Sequence, residues 1–313
     1  MRCCFATATN RQSNSERLCT AQNHEVACRE TERFEAISTP HSIARSLDAQ
    51  MTEYGLRSTL LLMFGAHSES PLGETDSLES RLAAVEARIA AACARAGRPR
   101  EEVTLLAVSK THSADAVAEA ARLGLTEFAE SKVQEARAKI PLCPSRCRWH
   151  LIGHLQSNKA RDAVALFETI QSIDSLSLAR EIQKQSEKQS RRPKVLLEVN
   201  VAGESSKFGW APDRVLEELM EVNALDRLEI HGLMTIAPYS TDPEKVRSYF
   251  RRLRELRDRA ADQLGAPLPV LSMGMSGDLE VAIEEGSTMV RVGTALFGDR
   301  PRPQRAPDES GAD

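Results

Sequence analysis

The chain has 313 residues, a formal charge of -4, 41% hydrophobic residues and only 4% aromatics. That length holds one large barrel or two ordinary domains. The net negative charge excludes the basic footprint of a nucleic-acid binder, and the run Leu60-Leu61-Leu62-Met63-Phe64 is far too short to span a membrane.

Residues 1 to about 75 mix Ser, Thr, Asn, Gln and both charge signs without sustained periodicity. They lack the acid-poor bias of an organelle-targeting peptide and the layout of a secretory signal. The expectation is a disordered extension, or sequence upstream of a true start at Met51 or Met63. Cys3, Cys4, Cys19 and Cys28 fall in this segment, and Cys93 falls on an apolar helix face. Cys143, Cys147 and His150 have spacing that would just hold a metal, but no second paired-cysteine motif supports a zinc site. The cysteine usage fits a reducing cytoplasm.

Order is expected from Asp76, where Asp76 and Glu79 resemble a capping box and Leu78, Leu82, Val85 and Ile89 form one stripe. Gly97 and Pro99 end that helix. Eight strand-like runs follow: 104–110, 125–131, 148–155, 168–174, 194–201, 229–237, 270–276 and 289–297. Helical patterns separate most of them, such as 115–123 before Gly124 and 278–285 before Gly286. Eightfold alternation predicts an α/β fold, a single (β/α)8 barrel over 76–300, rather than a doubly wound sheet. The basic cluster Arg251, Arg252, Arg254, Arg257 and Arg259 shares its helix with Glu255 and Asp258, which predicts a solvated face with i,i+4 pairs. Residues 301–313 are Pro-rich and charged, and are expected to form a flexible tail.

Barrel chemistry sits at strand C-termini. Lys110 closes the first apolar run, where a partly desolvated amine becomes a nucleophile toward aldehydes. Ser276-Gly277-Asp278 opens a helix after strand seven, and Gly293-Thr294 follows strand eight. Loops after these two strands commonly hold phosphate. Ser276 as a plain N-cap and Gly293 as a packing glycine are the bland alternatives. An amine on strand one facing a phosphate cradle on strands seven and eight suits pyridoxal 5'-phosphate, PLP. Arg291, the strongly polar residue inside strand eight, would hold the pyridine nitrogen unprotonated and so weaken the ring as an electron sink. His154, at a strand end, is a further pocket candidate.

The segments LLAVSKTH (105–112), WHLIGHLQSNKAR (149–161), VLLEVNVAGESSKFGW (195–210), HGLMTIAP (231–238) and LSMGMSGDLEVAIEEGSTMVRVGTALFGDR (271–300) resemble the pyridoxal phosphate homeostasis protein family. The resemblance implies a barrel similar to the N-terminal domain of alanine racemase, with Lys110 as the Schiff-base lysine. It implies an intracellular PLP carrier and regulator with no established turnover, and a cofactor site that includes Met234 in the HGLMTIAP segment. Where the family shows Gly-Glu-Asn-x-Val-Gln-Glu, this chain has Ala129-Glu130-Ser131-Lys132-Val133-Gln134-Glu135. Ser131 thus replaces an asparagine close to the cofactor, and offers one donor where an amide offers two.

Two other readings compete with the carrier. An alanine-racemase-type enzyme needs a second acid-base group opposite the lysine, which that fold draws from a C-terminal β-domain. Here Asp299 to Asp313 follow the barrel, and of Tyr54, Tyr239 and Tyr249 only Tyr239 is near a strand end. The other is a barrel enzyme with a different phosphate ligand and Lys110 as an aldolase-like amine. The carrier is expected to be a cytoplasmic monomer with apo PLP enzymes as its partners.

Overall fold

All eight strand-like runs become parallel strands, each shorter than its run. They are β1 (Thr104–Val108), β2 (Glu127–Glu130), β3 (Arg148–Leu151), β4 (Thr169–Ile173), β5 (Lys194–Glu198), β6 (Glu229–Met234), β7 (Val270–Met275) and β8 (Met289–Val292). The computed structural model describes residues 76–205 and 207–299. The expectations for residues 1–75 and 301–313, including four cysteines, Met51, Met63 and Tyr54, lie outside the described residues.

The strands pair in chain order, and β1 closes on β8 from Thr104↔Met289 to Ala107↔Val292, which completes the (β/α)8 barrel. Both strand faces are covered, so strands such as β1 (TLLAV) and β5 (KVLLE) read as near-continuous apolar runs, while others carry polar residues into the barrel interior. Around the barrel lie α2 (Ala114–Arg122), α3 (Val133–Lys139), α4 (Ala160–Leu166), α5 (Leu176–Gln189), α6 (Pro212–Asn223), α7 (Arg247–Leu264), α8 (Leu279–Glu284) and α9 (Thr294–Phe297), with α1 (Leu78–Arg95) preceding β1.

Three local expectations change. The cap of α1 is Ser77, whose hydroxyl accepts from Ser80 N at 3.1 Å, while Asp76 pairs with Arg81 at 2.8 Å. The eighth run breaks at Gly293, and its second half is α9, closed by Phe297 N donating to Gly293 O at 2.8 Å. A short apolar run carries no periodicity to separate strand from buried helical turn. Three of the α7 arginines reach across to the C-terminal end of α8 rather than along their own helix. Arg247 binds Glu284 at 2.7 Å, and Arg251 and Arg254 bind Glu285 at 2.9 and 3.3 Å. None of the described helices is long and apolar enough to cross a membrane.

The main core lies between helices and barrel wall, where Cys93, Val85 and Ile89 of α1 join Phe128, Phe167 and Phe250. Each such fully buried side chain contributes roughly 1.5–3 kcal/mol. The barrel interior mixes Leu106, Val108 and Met289 with buried polar residues His150, Gln171, Ser272 and Arg291.

Candidate functional site

The strand C-termini surround a cavity of about 750 Å³. Lys110 lines it, two residues beyond β1. The segment carrying it is anchored from below. Ser109 is fully buried; its hydroxyl donates to Glu130 at 2.7 Å and its carbonyl accepts from Lys139 Nζ at 2.9 Å. Lys139 also binds Glu130 at 2.8 Å and Glu135 at 2.9 Å, so all three ammonium donors are engaged. Thr111 turns the chain in the left-handed region (φ 69°), unusual for a β-branched residue, and its N–H donates to Glu135 at 2.5 Å. The His112 ring stacks on Phe297 of α9 at 5.0 Å, tying the lysine segment to the β8 loop.

The loops after β7 and β8 meet at the same cavity. Ser276, Gly277, Gly293 and Thr294 all line it, and Ala295 N donates to Ser276 Oγ at 3.4 Å. Ser276 is therefore a bridge between the two loops rather than the α8 cap, a position held by Asp278. Arg88 of α1 holds the first loop from behind, donating to Ser276 O at 2.8 Å and pairing with Glu280 at 2.6 Å. A Cβ on Gly277 would meet nothing within 4 Å, and one on Gly293 would lie 3.5 Å or more from Val108. Neither glycine has a left-handed backbone. Packing therefore leaves both glycines unexplained; what they provide is bare backbone beside open space, where a phosphate can approach.

Arg291 rises from β8 into the cavity floor, 5% exposed. Three of its five N–H donors go to Ser272 O (2.7 Å), Ser272 Oγ (2.9 Å) and Thr235 O (2.7 Å). Burial brings its pKa down to about 10, against the opposing pull of Asp278 and Glu198, so it stays charged at neutral pH. Glu198, at the end of β5, lines the same cavity and is 6% exposed. Its Oε2 has no hydrogen-bond partner, and burial, reinforced by Asp174, pushes its carboxyl up to about 7 against the pull of Arg291. The sequence carries one signal for it, a lone acid in the apolar run Val195-Leu196-Leu197-Glu198-Val199.

Ser131 and His154 also line the cavity. A Cβ on Gly153 would fall 2.2 Å from Ser131 O, so only glycine lets the β3 loop pack this tightly on the end of β2. His154 bonds Asp174 at 3.0 Å and stacks on Phe208 at 3.6 Å between ring centroids. Met234 does not join them: it is fully buried in β6 and absent from the cavity lining. Its carbonyl accepts from Val199 N at 2.8 Å. Among the described residues no cluster of three or more His, Cys, Asp or Glu is arranged to hold a metal. His150 is bonded instead to Glu127 (2.8 Å) and Gln171 (2.9 Å) inside the barrel.

Residues 80–301 match the family described as alanine racemase, N-terminal domain. A pyridoxal phosphate homeostasis protein of Aquifex aeolicus (strain VF5) is 47% identical over 222 residues, 70% of this chain and 97% of that protein. The chain belongs to the pyridoxal phosphate homeostasis protein family. Among solved structures it is similar to PipY of Synechococcus elongatus PCC7942 with PLP bound, at 38% identity and a TM-score of 0.62 over 71% of this chain and 100% of PipY. Alanine racemase of Clostridium difficile 630, at 18% identity and a TM-score of 0.56 over 75% of this chain and 59% of that enzyme, shares the fold alone. The barrel alone therefore does not separate a carrier from a racemase.

Proposed function

We propose that this chain binds PLP at the barrel mouth and serves PLP homeostasis, holding the cofactor on Lys110 without catalytic turnover and yielding it to apo PLP enzymes. The observation that carries the reading is the convergence of Lys110 with the Ser276–Gly277 and Gly293–Thr294 loops on one cavity. When bound, PLP supplies an electrophilic aldehyde and an electron-accepting ring.

The residues fit each part of it. The Lys110 amine would hold the aldehyde carbon. Ser276 and Thr294 hydroxyls, with bare backbone at Gly277 and Gly293, would receive the phosphate. Arg291, charged at neutral pH and held by Ser272 of β7 and Thr235 just after β6, would serve the pyridine nitrogen as a donor and keep it unprotonated. Ser131 and His154 would line the remaining sides.

Turnover needs a second acid-base group opposite the lysine. Tyr239 lines the cavity but is 92% exposed, and Tyr249 of α7 packs against the core; the carrier reading takes neither as that group. The carrier reading extends to a monomer acting in the cytoplasm.

The test is borohydride reduction of the PLP-loaded full chain followed by peptide mass mapping. The cofactor mass should sit on Lys110, Lys110→Ala should carry none, and unreduced protein should load an added apo-enzyme. Labelling elsewhere, or equal labelling of Lys110→Ala, overturns the assignment.

A further inference from the structure

Glu198 is a buried feature of the cavity that PLP binding as just described leaves without work. Its carboxyl is more than nine-tenths buried, it lines the cavity, and Oε2 has no partner. A buried carboxylate oxygen without a donor is costly, on the order of 1–3 kcal/mol or more. The adjacent guanidinium does not relieve it, because its three bonds run to Ser272 of β7 and to Thr235 just after β6. The charged groups around Glu198 come from several elements. Asp174 after β4 repels it and Arg291 on β8 attracts it. Lys110, His154, Lys207 and Asp278 line the same cavity, and His154 is tied to Asp174 at 3.0 Å.

We propose that Glu198 contacts bound PLP directly as the protonated acid, so that this chain's hold on PLP weakens as the pH rises through neutrality. The proposal rests on the PLP-binding reading. PLP brings a phosphate and other anionic oxygen into the cavity, and like charge disfavours a carboxylate beside it. A protonated carboxyl instead offers an O–H donor to an acceptor on the ligand.

The sign follows from linkage. In the free protein the Glu198 carboxyl sits at about 7. Binding an anion raises it further, so a proton is taken up with PLP. Below about 7 the proton is already in place and affinity is flat. Above it, affinity falls by about tenfold per pH unit until the bound-state value is reached.

The experiment is a PLP titration of the full-length chain between pH 6 and 8.5, comparing wild type with Glu198→Gln. Glutamine is near-isosteric and donates a hydrogen bond at every pH. The two Kd values should be similar at pH 6, with wild type weaker by on the order of tenfold at pH 8.5. A ratio that stays constant with pH overturns the proposal and leaves PLP binding intact. A wild type that binds no PLP at any pH removes the functional reading and this proposal with it. Should Glu198→Gln fold poorly, infrared difference spectra of wild type with and without PLP at pH 8 decide the matter. A protonated carboxyl band gained on binding supports the proposal, and its absence overturns it.

Discussion

Gln171 of β4 and Ser272 of β7 meet across the barrel interior, the serine hydroxyl donating to the Gln171 carboxamide oxygen at 2.7 Å. The Gln171 amide donates to His150 Nδ1 at 2.9 Å, and His150 Nε2–H donates to Glu127 at 2.8 Å. Ser272 in turn accepts from Arg291. One chain of hydrogen bonds thus runs from the start of β2 to the arginine at the mouth. Replacing Gln171 with Leu strips a partner from two buried groups, each worth about 1–3 kcal/mol. Urea unfolding should show a loss of about 2–4 kcal/mol, with weaker PLP binding as Arg291 loses its support. A change within 0.5 kcal/mol or so, the usual size of a surface effect, would show the chain to be incidental.

Thr111 is strained and Glu135 restrains it. A left-handed β-branched residue costs on the order of 1–3 kcal/mol. Thr111→Gly should therefore raise stability by about 1 kcal/mol, whereas Glu135→Ala should lower both stability and PLP affinity. If Thr111→Gly destabilises, the turn is held by the threonine side chain instead.

The Lys139–Glu130 pair is buried on both sides, at 8% and 0% exposure. Burial raises the Glu130 carboxyl against the pull of Lys139 and Ser109. Lys139→Met leaves that carboxyl uncompensated and should cost about 3–5 kcal/mol. Adding Glu130→Gln should recover much of the loss. Chemical denaturation of the four proteins in the cycle measures the coupling, and strict additivity would refute it.

Glu198 also gives the apo-protein a pH signature. Its carboxyl lies at about 7 in the folded chain against an ordinary value of 4.5, so the native state binds the proton more tightly than the unfolded state. Its contribution is present below about 4.5 and is lost as pH rises through about 7. Glu198→Gln cannot titrate. Its stability advantage over wild type should grow by on the order of 2–3 kcal/mol between pH 5 and 8. Parallel stability curves would mean that Glu198 is solvated.

Amino-acid turnover is the direct test against a racemase. Holo-protein incubated with L-alanine in deuterated water should show no exchange at Cα on the enzymatic scale. Exchange at about 1 per second or faster would restore the racemase reading.

The alternation of eight strand-like runs with helical patterns, the lysine at the end of the first and the Ser-Gly and Gly-Thr pairs after the last two were legible in the chain itself. Each is a local signal, set by side-chain periodicity and turn chemistry within a few residues, and barrel closure then brings such strand ends to one mouth. Met234 lies outside the cavity lining, because a strand's sequence does not mark which residue is the last to be covered by its neighbours. Glu198 beside Arg291, Arg88 behind Ser276, Glu135 on Thr111 and the chain through Gln171 and Ser272 were decided by the tertiary structure alone. These partners lie tens to hundreds of residues apart. Only the register in which β1 closes on β8, and the helices dock outside, determines which polar side chains share a buried space and which of them is left, like the Glu198 oxygen, without a partner.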